Sequence, residues 1–222
     1  NMIGNCSADV VSSTVPCSTK WMTGTVNSFF IGFIATFIAT TLGTLAALGL
    51  SRPHMPYKGL IMAILISPMI VPLIITAAGM FFFYARINLV YTFTGVILAH
   101  VALATPFVVI TVTATLVGFD MNMVKASQSL GARPVRTFFK VIMPLILPGV
   151  ISGALFAFIT SFDEVVIVMF MASLDQLTIP KQMWAGIRQE ISPVILCMAT
   201  CLVVLSIFLL TTVELLRRRS EK

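Results

Sequence analysis

A chain of 222 residues in which 58% are hydrophobic and only 10% charged, with a mean hydropathy of +1.03, is too apolar for a soluble domain and reads as an integral membrane protein. Its formal charge of +6 does not point to nucleic acid, because the basic residues fall in short clusters between apolar spans and not along one face. A secretory signal does not explain the apolarity either, since apolar runs recur to the C-terminus and the opening residues lack a basic start followed by an apolar core.

In chain order, residues 1–24 form a polar N-terminal segment carrying Cys6 and Cys17, which suit a disulfide or two free thiols equally. Five apolar stretches follow: Thr25 to Leu50, Gly59 to Tyr84, Val90 to Val117, Pro144 to Ala172 and Pro193 to Leu216. Each reaches the roughly 20 residues that a tilted transmembrane helix needs. The expected fold is therefore an all-α, polytopic bundle of about five spans within residues 25–217. In the first span Gly32, Ala35, Ala39, Gly43 and Ala46 recur at helical spacing, which permits close helix contact. Pro68 and Pro72 punctuate the second span and Pro106 the third, so kinked helices around a cavity are expected. His100 is a lone imidazole, either a hydrogen-bonded packing residue or one lining a path. Cys197 and Cys201 read as small packing residues, and the four cysteines show no zinc pattern. No metal site and no catalytic group emerges.

Lysine and arginine placement sets the expected orientation. Arg52, Lys58, Lys125, Arg133, Arg136, Lys140, Arg217, Arg218, Arg219 and Lys222 share one side, against Lys20, Arg86, Lys181 and Arg188 on the other. The first group is expected to be cytoplasmic. That puts the N-terminal segment outside, loop 118–140 inside, loop 173–192 outside and the tail 218–222 inside. Within the outer loop, Gln182 to Ile187 suits a short helix that dips towards the membrane, and an ordinary solvated loop fits as well.

In the inner loop, Asp120 has the chemistry of an N-cap, and Met123, Ala126 and Leu130 form an apolar stripe. Gly131 suits a left-handed C-terminal position, and Pro134 prevents continuation of the helix. A short helix, polar on one face, is expected. On its own it could lie at the headgroups as an amphipathic anchor.

The order Lys125-Ala126-Ser127, Gly131 and then Val141-Ile142-Met143-Pro144 resembles the cytoplasmic loop of binding-protein-dependent ABC importer permeases. Their pattern is Glu-Ala-Ala-x-x-x-Gly, followed at a fixed distance by Ile-x-Leu-Pro. Lys125 replaces the usual Glu, and Ser127, Val141 and Met143 are milder changes. The stretches "LPGVISGALFAFITSFDEVVIVMFMA" and "LTIPKQMWAGIRQEISP" resemble the spermidine and putrescine branch. The resemblance implies a type I importer permease in a bacterial inner membrane, half of a pore completed by a second, like or unlike, permease subunit. It also implies an ATPase dimer beneath, which binds the ATP and Mg, and a soluble binding protein outside. The coupling helix that docks into the ATPase would then comprise Lys125, Ala126, Ser127, Leu130, Gly131, Ala132, Arg133 and Pro134. Such permeases carry one more helix ahead of the first span found here. The chain has no GxxxxGK[ST] phosphate loop, so no cofactor is expected on this chain and energy must come from the partner.

Asp163 and Glu164 interrupt an apolar run from Pro148 to Ala172. Ionisable groups at mid-bilayer cost roughly 2.5 to 3.5 kcal/mol each on insertion scales, so they face a bundle interior or an aqueous path. A helix from Pro148 rises roughly 22 Å to reach Asp163, placing the pair in the outer half of the membrane. Neighbouring positions point about 100° apart, so one is expected to face the pore while the other caps or bonds an adjacent span. For a polyamine, carboxylates and aromatic faces are suited ligands, which nominates Phe158, Phe162, Asp163, Glu164, Trp184 and Glu190 as pathway or gate. The acids could instead serve a gate or helix packing, and Trp184 an interfacial anchor. An ion-coupled secondary transporter also accommodates buried acids and broken helices, but leaves the spaced loop motif without a purpose.

Overall fold

The computed structural model describes residues 17–52, 55–117, 121–189 and 193–220, so Asp120, Glu190 and Cys6 lie outside the described residues. All regular structure among them is helical: α1 (Cys17–Leu50), α2 (Lys58–Ile70), α3 (Leu73–Arg86), α4 (Phe93–Val117) and α5 (Met121–Ser129) come first. Then α6 (Pro134–Thr137) runs through one π-helical turn, Phe138–Ile142, into α7 (Met143–Phe162). The short α8 (Val166–Met171), a 3₁₀ turn at Leu174–Gln176, α9 (Ile179–Gln189) and α10 (Pro193–Ser220) complete the chain. By length and composition three helices, α1, α4 and the continuous Pro134–Phe162 helix, can each cross a membrane; α2 and α3 are apolar enough only when taken together, as one broken span or a re-entrant loop, and α10 contributes the shorter apolar helix Pro193–Phe208.

Three boundaries differ from expectation. First, α1 starts at Cys17, ahead of Thr25. Gln182 Nε2 on α9 donates to the Lys20 carbonyl at 2.8 Å, so the polar start of α1 is held by a later helix. Second, the Gly59 to Tyr84 stretch is two helices bent by 104°. Proline disfavours helical backbone at the residue before it, and Val71, before Pro72, is extended at φ −71, ψ 136. Pro68 and Pro106, by contrast, stay inside α2 and α4. Third, the Pro144 to Ala172 stretch breaks after Phe162, where Asp163 takes φ −89, ψ 0.

The core is the three-helix contact of α1, α4 and α7. The small-residue face of α1 makes it possible: Gly32, Ala35, Ala39 and Gly43 are buried, with Ala47 taking over from the half-buried Ala46. A Cβ on Gly43 would lie 2.6 Å from Val108 Cβ, and one on Gly153 would lie 3.0 Å from Val108 Cα. Val108 therefore sits between two glycines, one from each neighbouring helix. Gly43→Leu is expected to lower the thermal midpoint of the detergent-solubilised protein, since overpacking typically costs about 1–3 kcal/mol. Gly49→Ala, with nothing within 4 Å of the added carbon, should leave it unchanged or raised.

Packed around this core, α2 lies on α4, α3 on α8, and α10 on α7 and α9. A second apolar cluster joins Phe158, Phe162 and Ile179 to Trp21, Phe29, Met183, Met198, Leu202 and Leu205. The bundle thus has one end carrying α5 and α6 and another carrying α8 and α9.

Candidate functional site

At the α8 end, the two acids part company. The Asp163 amide still bonds the Ile159 carbonyl at 3.0 Å, finishing α7, and its side chain is exposed. It lines an open cavity of about 410 Å³ with Leu73, Ile159, Thr160, Glu164, Val165 and Val166. Glu164 is only 7% exposed, and its Oε1 accepts the Ile167 backbone N–H at 2.9 Å. That bond satisfies one of the free amides at the start of α8. The carboxylate thus bonds α8 just past the point where α7 ends.

Below the break, His100 of α4 and Ser161 of α7 share a hydrogen bond, Nδ1 to Oγ, at 2.8 Å. His100 is 1% exposed between α4 and α7, and its Nε2 is buried without a partner among the described residues. Phe158 and Phe162 are not brought together with Asp163. Their ring centroids stand 5.3 Å apart, with Phe29 5.0 Å from Phe162 and Phe33 5.0 Å from Phe158, an aromatic seam between α1 and α7. Trp184 is half-exposed on α9, with the Arg188 guanidinium 5.7 Å from its ring, a cation–π distance. It does not line the Asp163 cavity either.

Sequence reasoning missed the residues that fix the segment after the break. Asn27 Nδ2 donates to the Asp175 and Leu177 carbonyls at 2.8 and 3.0 Å. The Ile179 N–H donates to Ser28 Oγ at 2.9 Å. Lys181 Nζ donates to the Val168 and Ala172 carbonyls at 3.2 and 3.0 Å, and burial pushes this ammonium below the ordinary lysine range. The available signal was polar residues, Asn27 and Ser28, where an apolar span begins.

At the other end, α5 closes with a Schellman turn. The Ala132 N–H bonds the Ser127 carbonyl at 3.1 Å, the Gly131 N–H bonds the Gln128 carbonyl at 2.9 Å, and Gly131 has φ +78. Pro134 does more than stop α5, because it stands at the first turn of α6, where a missing N–H costs nothing. Ser127 Oγ and Thr137 Oγ1 share a bond at 2.7 Å, tying α5 to α6. Lys125, Ala126, Arg133 and Pro134 are exposed and Ala132 half-buried. The apolar stripe is exposed too, Met123 by 49% and Leu130 by 88%. From α6 to Phe162 the helix runs without a break for 29 residues, roughly 40 Å at about 1.5 Å per residue. A continuous helical strut, carrying one π-helical turn at Phe138–Ile142 and Pro148 in its interior, therefore links the exposed stub to the acidic break.

A polytopic helical bundle with a projecting short helix, joined by continuous helix to a break beside a cavity that holds a carboxylate, is the build of a membrane permease subunit. Residues 21–222 match the family described as binding-protein-dependent transport system inner membrane component, and the chain belongs to that family. The spermidine/putrescine transport system permease protein PotC of Haemophilus influenzae is 31% identical over 196 residues, covering 88% of this chain and 76% of that one. Its counterpart in Escherichia coli strain K12 is 31% identical over 190 residues, covering 86% and 72%. The putrescine transport system permease protein PotI of the same strain is 29% identical over 181 residues, covering 78% and 64%. Among solved structures, an inward-facing MetNI methionine ABC transporter chain superposes with a TM-score of 0.72 at 18% identity, covering 94% of this chain and 99% of that chain. That likeness speaks to the fold, the ABC importer permease fold. Membership sets aside the ion-coupled secondary transporter as the class.

Proposed function

We propose that this permease subunit forms half of the pore of an ATP-driven importer for a small organic cation, a polyamine such as putrescine or spermidine. The observation that carries the cation is Asp163, a carboxylate left free at a helix break and lining an open cavity, in a chain whose relatives are named for spermidine and putrescine transport. Glu164 is engaged with the Ile167 amide, so the second carboxylate for a flexible dication would come from the other permease subunit.

The remaining partners are an ATPase dimer, which binds ATP and Mg, and a soluble binding protein. The exposed apolar stripe of α5 supports the first, since a helix face of this kind needs a groove to cover it. Closure of the ATPase pair would push α5, and the strut would carry that motion to the α7 break, exchanging inward-open for outward-open states. In this reading the membrane is a bacterial inner membrane, with α5 and the C-terminus cytoplasmic and α9 outside, in keeping with the lysine and arginine distribution.

Proteoliposomes holding the assembled transporter, supplied with binding protein outside and ATP inside, should accumulate labelled putrescine or spermidine and exclude a neutral sugar. ATP-driven accumulation of a neutral solute, with no polyamine uptake, would overturn the cation assignment.

A further inference from the structure

With only the residues Val166–Met171, α8 is far shorter than a helix that is stable by itself. Its apolar side is held by packing, as Ile167, Val168 and Met171 are buried and the helix rests on α3 and α4. Its polar ends have their own partners. At the start, Glu164 Oε1 accepts the Ile167 N–H. At the finish, the Tyr91 N–H donates to the Met171 carbonyl at 2.9 Å, and the Lys181 ammonium bridges the Val168 and Ala172 carbonyls. A carboxylate thus meets a free amide, and the ammonium meets the Ala172 carbonyl and shares the Val168 carbonyl with the Ala172 N–H, each the favourable sign for that helix end.

The two clamping groups belong to different parts of the molecule. Glu164 follows directly on Asp163 in the α7 break, whereas Lys181 lies on α9, which is fastened to α1 through Ser28 and Gln182. We infer that Lys181 is a positioning residue for Asp163: its ammonium joins α9 to the end of α8, Glu164 joins the start of α8 to the break, and all three move as one body. Displacing α9 then reorients the Asp163 carboxylate in its cavity. An ammonium fits this task because it has three donors and can serve two carbonyls at once. A neutral methionine of similar length fills the space and serves neither.

What the motion accomplishes rests on the proposed importer function; the clamp itself does not. The test therefore reads both in the assembled transporter, comparing Lys181→Met and Lys181→Arg with the unaltered protein. Amide hydrogen exchange across residues 166–172 should accelerate about tenfold in Lys181→Met, as loss of charge-assisted hydrogen bonds predicts, and stay near the original rate in Lys181→Arg. Polyamine taken up per ATP hydrolysed should fall in the methionine variant, with assembly and basal hydrolysis unchanged and with recovery in the arginine variant. Unchanged exchange in Lys181→Met overturns the clamp. Faster exchange with unaltered uptake per ATP overturns the positioning role. If Lys181→Met does not assemble, Lys181→Gln, which keeps donors without charge, should exchange at an intermediate rate, and a rate equal to the unaltered protein overturns the clamp. An unaltered transporter that moves no polyamine would fail the importer reading and leave the exchange result standing.

Discussion

Asp163→Asn is expected to lower the initial rate of polyamine uptake by at least about tenfold, the scale of one lost charge-assisted hydrogen bond, while ATP hydrolysis still responds to the binding protein. Glu164→Gln should change uptake far less, because the amide oxygen of glutamine can still accept the Ile167 N–H that Glu164 Oε1 accepts now. The asymmetry between neighbouring acids follows from geometry: both border the cavity, but the Asp163 side chain is exposed there whereas Glu164 is buried with its Oε1 on the Ile167 amide. Parallel uptake measurements in proteoliposomes check it. Near-normal uptake in Asp163→Asn, or a larger loss in Glu164→Gln, would show that the cavity carboxylate does not meet the cation.

The second large effect concerns Gly131. Its φ of +78 is a left-handed conformation that costs an ordinary L-residue roughly 1–2 kcal/mol, and a β-branched residue tolerates it least. Gly131→Val should disturb the turn that orients α5 and lower both transport and ATPase stimulation by about tenfold or more. Nothing lies within 4 Å of a carbon added there, so the loss would come from backbone conformation and not from a clash. Asparagine is tolerated in this position better than alanine or valine, so residual activity should fall in the order Asn, Ala, Val. An equal effect for all three would point to some other role for the glycine.

How much of this was readable in advance varies with the range of the interaction. The α5 turn was legible because its requirement is local: a glycine after an apolar stripe, then a proline. The small face of α1 was legible for a similar reason, since Gly32, Ala35, Ala39 and Gly43 share one helix face. The break at Asp163 was not, because "SFDEVV" contains no proline or glycine, and the Glu164 bond to the Ile167 amide exists only in the folded geometry. Phe158 and Phe162 were nominated for a pathway on chemistry alone. Their four-residue spacing matches that of Phe29 and Phe33, and the matched pairs form a seam between helices. Proline at position 72 signalled a disturbance, but the 104° angle depends on where α3 packs. Asn27 bonds partners 148 and 150 residues away, and no local pattern reveals such a contact.

The central claim is that work done by an ATPase enters this bundle through α5 and reaches Asp163 along the continuous helix. The most direct measurement is residue-specific crosslinking from Ala126→Cys in the assembled transporter, with Trp184→Cys as the comparison from the opposite end. The account predicts an adduct between position 126 and the nucleotide-hydrolysing subunit and none from position 184. Position 126 reacting only with reagents confined to the outside, or forming no adduct with that subunit, would contradict it.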